Sequence, residues 1–356
     1  MRFNIVVINP GSTSTKVAIY EDENQKFSEN MFHSELEIAK YSHIVEQLDF
    51  RKEIILNFLS NRNINLSSIQ AVVGRGGLLK PVSGGTYRVN DKMLIDLKRG
   101  VQGEHASNLG GILAAEIASQ VGIPAFIVDP VVVDELDEVA RLTGIPEIKR
   151  RSIFHALNQR SCARLAAEKL GRSYGDINLV VAHLGGGISI SAHKKGRVID
   201  VNNALNGEGP IAPERAGTLP AWDLIELALS GRYSKGELKK KITGRGGMVA
   251  LLGTNDMKKV MERIKKGDKK AKLVFSTMAY KVAKEIGACA AVLSGEVNAI
   301  VISGGLAYCK EFIEEIKSYV SFIAKIFVFL GEDEIKALAL GALRVLRGEE
   351  KAREYL

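Results

Sequence analysis

Two segments of this 356-residue chain share one pattern and lie half a chain apart. The first reads IVVINPGSTSTKVA from Ile5 to Ala18, and the second reads LVVAHLGGGISISA from Leu179 to Ala192. Each joins two short apolar runs through a turn of small residues, which predicts a β-hairpin with a Gly- or Ser-rich tip. Backbone N–H groups and hydroxyls at such a tip can bind phosphate. The pattern therefore predicts two related halves whose hairpin tips bind one polyphosphate from both sides.

A pair of ordinary turns is the alternative, because single Gly-rich hairpins are common in β and α/β proteins. Two tips in matching register favour the phosphate-binding interpretation. The segment Asn9–Lys16 is not a P-loop, because Thr15 precedes Lys16 where that motif requires glycine. Its hydroxyls and its lysine can still contact phosphoryl oxygens.

Strands and helices alternate in both halves, which predicts an α/β fold. The expected strands lie at 3–8, 15–20, 69–74, 125–128, 197–201 and 299–302, besides the second hairpin at 179–192. The expected helices lie at 46–59, 105–120, 155–170, 274–293 and 334–346. We place a domain boundary near 149–151, with domains at 1–148 and 149–333. Residues 334–356 are expected to pack back on the first domain.

The net charge of +8 raises the question of nucleic-acid binding. The basic clusters at 239–241 and 258–272 have acidic residues nearby and no aromatic residue among them. We therefore expect solvated helix faces and no nucleic-acid partner. The apolar stretch 286–309 is interrupted by Glu296 and Asn298, and no targeting segment is visible. This predicts a cytoplasmic protein without a membrane span.

Neither the cysteines nor the histidines have the spacing of a zinc site. Cys162, Cys289 and Cys309 lack C-x-x-C spacing and are expected to be buried thiols of a reducing compartment. The six histidines show no H-x-x-x-H or H-E-x-x-H pattern. His155 and His183 remain candidates because each opens a helix or a turn, with a structural role as the alternative.

Three isolated charges lie where side chains can point into a cleft. Arg75 lies between glycines after a buried run, and its guanidinium can bind a carboxylate through two hydrogen bonds. Asp129 ends another apolar run, the usual place for a carboxylate that handles magnesium or protons. Arg215 can reach a migrating phosphoryl group as an arginine finger. The alternative for Arg75 is a loop arginine at the surface, and the alternative for Asp129 is a turn or helix-cap residue. The alternative for Arg215 is a surface salt bridge.

Taken in order, these residues resemble the acetate and butyrate kinase family of the actin-like ATPase superfamily, over essentially the whole chain. Asn9–Lys16 resembles the first phosphate motif of that family, and His183–Gly187 resembles the second. Ser303–Gly305 resembles its adenosine motif, and Gly253–Lys258 resembles a further segment that contacts the nucleotide. The resemblance implies two duplicated actin-like (ribonuclease H-like) α/β domains around a nucleotide cleft.

The resemblance also implies roles for the site residues. The substrate-binding residues would be Arg75, Gly76, Gly77 and His105. The catalytic residues would be Arg215, His155 and Asp129. The magnesium ligands would be Asp129 and Glu334, with Glu332 as the alternative to Glu334. The nucleotide-binding residues would be Asn9, Ser12, Ser14, Lys16, His183, Gly185, Gly186, Gly187, Asp256, Gly304 and Gly305.

One departure from the acetate kinases points to the butyrate kinase branch. Acetate kinases have bulkier residues where this chain has Gly76 and Gly77, so we expect the glycines to leave room for a longer acyl tail. The run Asn202–Pro210 and the short chain also resemble butyrate kinases. We therefore expect butanoate as the substrate, with acetate, propanoate or a branched-chain acid as alternatives.

The implied reaction is direct in-line transfer of a phosphoryl group from ATP to a short-chain carboxylate, which gives an acyl phosphate and ADP. The implied cofactors are ATP/ADP and Mg²⁺, and the implied assembly is a homo-oligomer of at least two chains. A sugar kinase of the same fold is one alternative. An actin-like nucleotide-binding regulator or scaffold without a small substrate is the alternative from another class.

Overall fold

A computed structural model describes residues 2–331 and 333–356, and the structural statements below refer to these residues. Glu332, the alternative magnesium ligand, lies outside them. The contacts divide the chain into a first unit, Met1–Val133 with Asp333–Leu356, and a second unit, Asp134–Glu332. Residues 134–148, expected in the first domain, group with the second unit.

The elements before residue 134 belong to the first unit. Its strands are β1 (Asn4–Pro10), β2 (Ser14–Glu21), β3 (Asn24–Phe32), β4 (Ala71–Arg75), β5 (Thr86–Arg88) and β6 (Ala125–Val128). Its helices are α1 (Glu35–Ile38), α2 (Leu48–Ser60), α3 (Asp91–Arg99) and α4 (Asn108–Ser119).

The remaining elements belong to the second unit, except the last helix, which returns to the first. The strands are β7 (Asn178–Leu184), β8 (Ile188–Lys194), β9 (Arg197–Val201), β10 (Ala299–Ser303) and β11 (Ile326–Val328). The helices are α5 (Glu138–Arg141), α6 (Ala156–Lys169), α7 (Ala221–Leu229), α8 (Lys235–Thr243), α9 (Gly247–Leu252), α10 (Met257–Lys265), α11 (Lys269–Val292), α12 (Lys310–Val320) and α13 (Glu334–Leu346).

The first unit is a mixed sheet with helices on both faces. The strand order is β3-β2-β1-β4-β6-β5. Strands β1, β2 and β3 form an antiparallel meander, β1, β4 and β6 run parallel, and β5 is antiparallel to β6. Alternate side chains of β1 and β2 pack with α2 and α4 on one face. On the other face α13 packs closely against β6. The approach needs glycine at position 341, since a Cβ there would lie 2.5 Å from the Val128 side chain.

The second unit repeats this arrangement. Its strand order is β11-β10-β7-β8-β9, with β7, β8 and β9 antiparallel and β7, β10 and β11 parallel. Side chains of β7 pack alternately with α11 and α12 on one face and with α6 on the other. The pairings of β3-β2-β1-β4-β6 therefore recur in β9-β8-β7-β10-β11. The α/β class and the duplication predicted from the two hairpins are confirmed.

The expected elements are present with shifts of a few residues at most for the hairpins, the short parallel strands, and helices α2, α4, α6 and α13. The sequence patterns did not predict β3, β5, β11 or helices α1, α3, α5, α7–α10 and α12. The side chains of β3, α7 and α8 are mostly exposed, so these three elements lack a buried apolar face. None of the helices formed by residues 2–331 and 333–356 combines the length and the apolar character that crossing a bilayer requires.

Candidate functional site

Three predicted segments of the first unit meet at one edge of its sheet. The parallel strands β1, β4 and β6 end at Pro10, Arg75 and Val128. The carboxyl ends of parallel strands lie at the same edge, which is where α/β proteins bind ligands. The topology therefore places the first hairpin tip, Arg75 and Asp129 side by side.

Arg75 already holds a carboxylate in this structure. Its guanidinium Nη1 forms an ion pair with Glu334 Oε2, to which Asn9 Nδ2 also donates at 2.9 Å. Glu334 is the first residue of α13, where the helix N-terminus favours negative charge. The arginine assigned to the substrate and the glutamate assigned to magnesium are thus partners.

The glycines after Arg75 do not open a pocket, and that part of the sequence-based interpretation is wrong. A Cβ at Gly77 would lie 2.6 Å from the Asn108 Cα and 2.9 Å from its backbone nitrogen. A Cβ at Gly76 would lie 2.6 Å from the Pro130 Cβ. The volume that a side chain would occupy is therefore filled by the protein itself. Both glycines let the loop pack against the start of α4 and against the turn after β6.

Asp129 is fixed in place by the loop before β5. Its Oδ1 accepts a hydrogen bond from Gly85 N at 2.7 Å, and its own N–H donates to Gly85 O at 3.0 Å. The residue is only 3% exposed and has φ of +40°, a conformation that non-glycine residues rarely adopt. Such strain is often found at functional sites, where the surrounding structure enforces it.

The donor set of the first unit fits a magnesium ion at Glu334 better than at Asp129. Mg²⁺ needs only one or two protein carboxylates when phosphate and water complete its shell. Glu334 Oε1 accepts no hydrogen bond from the described residues, and the side chain keeps 19% exposure. Asp129 is buried and engaged with Gly85. No group of three or more His, Cys, Asp or Glu side chains forms a metal site within the described chain.

His105 lies in the electrostatic field of Arg75. Desolvation and, second, the Arg75 charge lower the pKa of His105. Its Nδ1 accepts from Ser107 N at 3.2 Å and lies 2.8 Å from Ser107 Oγ. The proton of the neutral ring is then on Nε2, which makes His105 a hydrogen-bond donor without charge. That state suits a supporting contact to an anionic ligand.

The tip of the first hairpin is a tight turn of small residues. Gly11 N donates to Ser14 O at 2.8 Å, which closes the turn, while Ser12 is exposed. Lys16 is exposed and pairs across the hairpin with Asn9, so both side chains lie on the same face.

Sequence reasoning missed Arg51, which is fully buried beneath this tip. The arginine lies on the apolar face of α2, four and seven residues before the buried Ile55 and Phe58. A lone charge at an apolar position of a helix was the available signal.

In the second unit, the tip Gly185–Gly187 is covered by the loop that carries Arg215. A Cβ at Gly187 would lie 2.0 Å from Arg215 Nη1, so glycine is needed for this approach. Glu214 N donates to Gly186 O at 3.2 Å. Arg215 Nη1 donates to Ala204 O, while its buried Nε has no hydrogen-bond partner among the described residues. Burial lowers the pKa of Arg215, and Glu214 acts in the opposite direction.

His155 and His183 are stacked, with ring centroids 3.8 Å apart. His183 is fully buried, and its Nδ1 lies 2.8 Å from Asn158 Oδ1, which also accepts from Ser303 Oγ. The side chain of His183 therefore supports His155, and only the His183 backbone belongs to the hairpin. His155 is half-buried, and its Nδ1 lies 2.9 Å from Ser189 Oγ.

A cavity of about 600 Å³ lies beside the motifs assigned to the nucleotide, a volume within the usual range for small-molecule sites. Its lining residues are Asn255, Asp256, Met257, Lys258, Met261, Glu262, Lys265, Gly305, Leu306, Tyr308, Cys309 and Glu311. Cys162 and Cys289 are buried as expected, whereas Cys309 is only partly buried in this lining.

Side-chain contacts link the lining of this cavity to the second hairpin tip. Asn255 Nδ2 donates to Glu214 Oε1 at 2.7 Å, and Glu214 lies against Gly186. On the other side, Gly304 has φ of +92°, and a Cβ there would lie 2.4 Å from Leu184 O. Asp256 caps α10 by accepting from Lys258 N at 2.8 Å. The second unit thus combines a cavity of small-molecule size, a glycine-rich tip and Arg215.

The sequence matches the family model described as the Acetokinase family over residues 142–323, just over half of the chain.

Solved structures show the same fold at low sequence identity. The Porphyromonas gingivalis acetate kinase has a TM-score of 0.79 at 18% identity, covering 97% of this chain and 100% of that chain. A propionate kinase from Francisella tularensis subsp. tularensis SCHU S4 has a TM-score of 0.72 at 19% identity, covering 95% and 98%. A ROK family protein from Streptococcus pneumoniae TIGR4, solved in complex with sucrose, has a TM-score of 0.55 at 13% identity, covering 98% and 100%.

Proposed function

Because this chain belongs to the acetokinase family, we propose that it transfers a phosphoryl group between ATP and a short-chain carboxylate, with butanoate as the acid. The observation that carries the carboxylate part is Arg75. Its guanidinium lies at the ligand-binding edge of the first sheet, where it already binds the carboxylate of Glu334. A substrate carboxylate would offer these donors the same kind of negatively charged oxygen acceptor.

In the proposed reaction, a carboxylate oxygen attacks the γ-phosphorus of ATP, and the bond to the bridging oxygen of ADP breaks. An acyl phosphate and ADP are formed, and no proton needs to be removed from the nucleophile. Catalysis then depends on positioning and on neutralisation of the charge that builds up. Mg²⁺, when bound through Glu334, would shield the phosphate charges.

In the first unit we assign Arg75 to the carboxylate, with His105 as a neutral donor beside it and Asp129 as a positioning carboxylate. The first hairpin tip, with Lys16 and Asn9, is assigned to phosphate. In the second unit we assign the cavity to the nucleoside, and Arg215 with His155 to the transferring phosphoryl group. The volume of the cavity, about 600 Å³ and within the usual range for small-molecule sites, supports the nucleotide part.

Gly76 and Gly77 no longer support a preference for the four-carbon acid, because both glycines pack against protein atoms. Butanoate now rests on the resemblance of Asn202–Pro210 to butyrate kinases. Acetate and propanoate are the competing substrates.

The test is ADP release in the presence of ATP and acetate, propanoate, butanoate or isobutanoate, with hydroxylamine trapping of the acyl phosphate as hydroxamate. Butanoate should give the highest kcat/KM. A preference for acetate would contradict the butanoate assignment alone. Turnover with glucose and none with any acid would indicate a sugar kinase, and nucleotide binding without turnover would indicate the regulator or scaffold.

A further inference from the structure

We propose that Arg51 is the buried counter-charge for the phosphate anion that binds at the first hairpin tip, Gly11–Ser14. Arg51 lies outside every sequence motif and takes no part in the proposed reaction. The inference rests on the proposed function in one respect, since it takes this tip to be a phosphate site.

The Arg51 guanidinium is fully buried and meets only neutral acceptors. Its Nε and Nη2 donate to Gln47 Oε1 at 3.0 and 2.9 Å. Its Nη1 donates to Ser14 O and to Thr15 Oγ1, both at 2.9 Å, and Nη2 reaches Ser12 O at 3.4 Å. Within residues 2–331 and 333–356, no carboxylate forms an ion pair with Arg51. A buried charge without an opposite charge is costly, so a partner from outside the chain is expected.

The backbone of the tip shows where that partner binds. The carbonyl groups of Ser12 and Ser14 turn inward to Arg51, and that of Thr13 accepts from His33 N at 2.9 Å. The N–H groups of Ser12 and Thr13 donate to no acceptor in the described chain, and both residues are exposed. Consecutive N–H groups that face solvent form an anion-binding concavity. Arg51 thus lies directly beneath a site that selects negative charge.

The second hairpin provides an internal comparison. Ser189 holds the position that corresponds to Thr15, at the same offset that relates Ile5 to Leu179. Its Oγ and its carbonyl oxygen accept from Gln159 Nε2 at 2.8 and 2.9 Å. Gln159 and Arg51 therefore both bind a hydroxyl and a carbonyl of the hairpin from a neighbouring helix. A neutral amide is sufficient for that structural task, so the charge of Arg51 has a further function.

His33 completes the cluster without adding charge. Its Nε2 lies 2.8 Å from Thr15 Oγ1. Burial first, and then the Arg51 charge, lower the pKa of His33, while Glu37 opposes this shift. Glu37 itself is engaged with Ser34 at the start of α1. Arg51 consequently supplies the positive charge beneath the tip.

The test compares Arg51→Gln, which keeps a donor and removes the charge, with Arg51→Lys, which keeps the charge. Binding of ADP and of adenosine is measured by calorimetry in the full-length protein. We expect Arg51→Gln to weaken ADP binding about tenfold and Arg51→Lys to weaken it about threefold or less. Adenosine has no phosphate and should bind equally to all forms. Arg62→Gln is the matched control, because Arg62 lies next to α2 and is paired with Glu29 at the surface.

Unchanged ADP affinity in Arg51→Gln would overturn the inference, as would equal losses in both variants, which would indicate a purely geometric role. If Arg51→Gln does not fold, inorganic tripolyphosphate must still raise the Tm of the wild type and of Arg51→Lys. If tripolyphosphate does not raise the Tm, or if the wild type does not bind ADP, the inference about Arg51 is also overturned. Normal ADP binding without acid-dependent turnover would instead contradict the carboxylate kinase proposal. The ADP affinities of the Arg51 variants would still test the role of Arg51.

Discussion

At the scale of single residues, both the charge of Arg75 and its place at the edge of the first sheet indicate a carboxylate ligand. Replacing it by alanine should remove a charge-assisted contact to the substrate carboxylate and cost about 2–4 kcal/mol in kcat/KM for the acid. The KM for ATP should change little. Steady-state kinetics with each substrate varied in turn measure both effects. Arg88→Ala is the control, because Arg88 is exposed on β5, and normal acid kinetics in Arg75→Ala would remove Arg75 from the site.

Arg215 is expected to act on the transition state, because it lies against the second hairpin tip and keeps an unpartnered Nε. Arg215→Ala should lower kcat about a thousandfold, as for other arginine fingers, with little change in nucleotide affinity. Single-turnover kinetics and ADP titration separate the two quantities. Arg232→Ala is the matched control at an exposed arginine of the same unit. A variant with nearly normal kcat would exclude Arg215 from catalysis.

Gly77 is a packing residue, so a side chain there should destabilise the protein and leave the acid preference unchanged. Gly77→Ala places a Cβ against the Asn108 backbone and should lower the free energy of unfolding by about 1–3 kcal/mol. Urea unfolding and the acetate-to-butanoate ratio of kcat/KM test this. Gly287→Ala, with open space in helix α11, should not destabilise. A shift toward acetate at wild-type stability would restore the acyl-pocket interpretation.

At the scale of elements, the C-terminal segment after α13 extends the first unit along β5. Arg353 N donates to Thr86 O at 2.8 Å, and Arg88 N donates to Arg353 O at 3.0 Å. The buried Tyr355 hydroxyl donates to Asp96 Oδ2 at 2.7 Å and accepts from Lys80 N at 3.2 Å. The segment thus ties β5 to α3, close to the loop that holds Asp129.

Tyr355→Phe should leave Asp96 without its main donor and cost about 1–3 kcal/mol of unfolding free energy at neutral pH. The Tyr355 hydrogen bond is the largest cause of the lowered pKa of Asp96. A lowered carboxyl pKa stabilises the fold above its ordinary value near 4, and this contribution is lost as pH falls. The difference from the wild type should therefore shrink in acid. Tyr319→Phe at an exposed tyrosine is the control, and a pH-independent difference would contradict this account.

At the scale of the whole molecule, the buried His193 should make stability depend on pH. Burial and the nearby Arg160 and Arg164 charges hold the pKa of His193 well below its ordinary value. In the unfolded chain the His193 side chain takes up a proton below about pH 6.5, whereas in the folded protein it stays neutral. The contribution of His193 is therefore complete above pH 6.5 and falls by about 1.4 kcal/mol per pH unit below it.

Urea unfolding between pH 5 and pH 7.5 measures this dependence. His193→Gln should reduce the slope, because glutamine cannot take up the proton in the unfolded state. His43→Gln is the control, since His43 is exposed and its pKa is raised by Glu104. An unchanged slope in His193→Gln would show that other groups cause the acid sensitivity.

The sequence by itself determined the α/β class, the duplicated hairpins and the strand ends that carry Arg75 and Asp129. Hydrophobic period, turn residues and the repeat are local signals, and parallel strands place their carboxyl ends together without any knowledge of side-chain packing.

Only the tertiary structure decided what those side chains meet. Arg75 and Glu334 are 259 residues apart in sequence, and the space at Gly77 is set by Asn108 of another element. Likewise, the burial of Arg51 beneath a tip about forty residues earlier depends on how α2 packs on the sheet. Partners, enclosed volume and desolvation are properties of distant segments brought together, and local patterning carries no information about them.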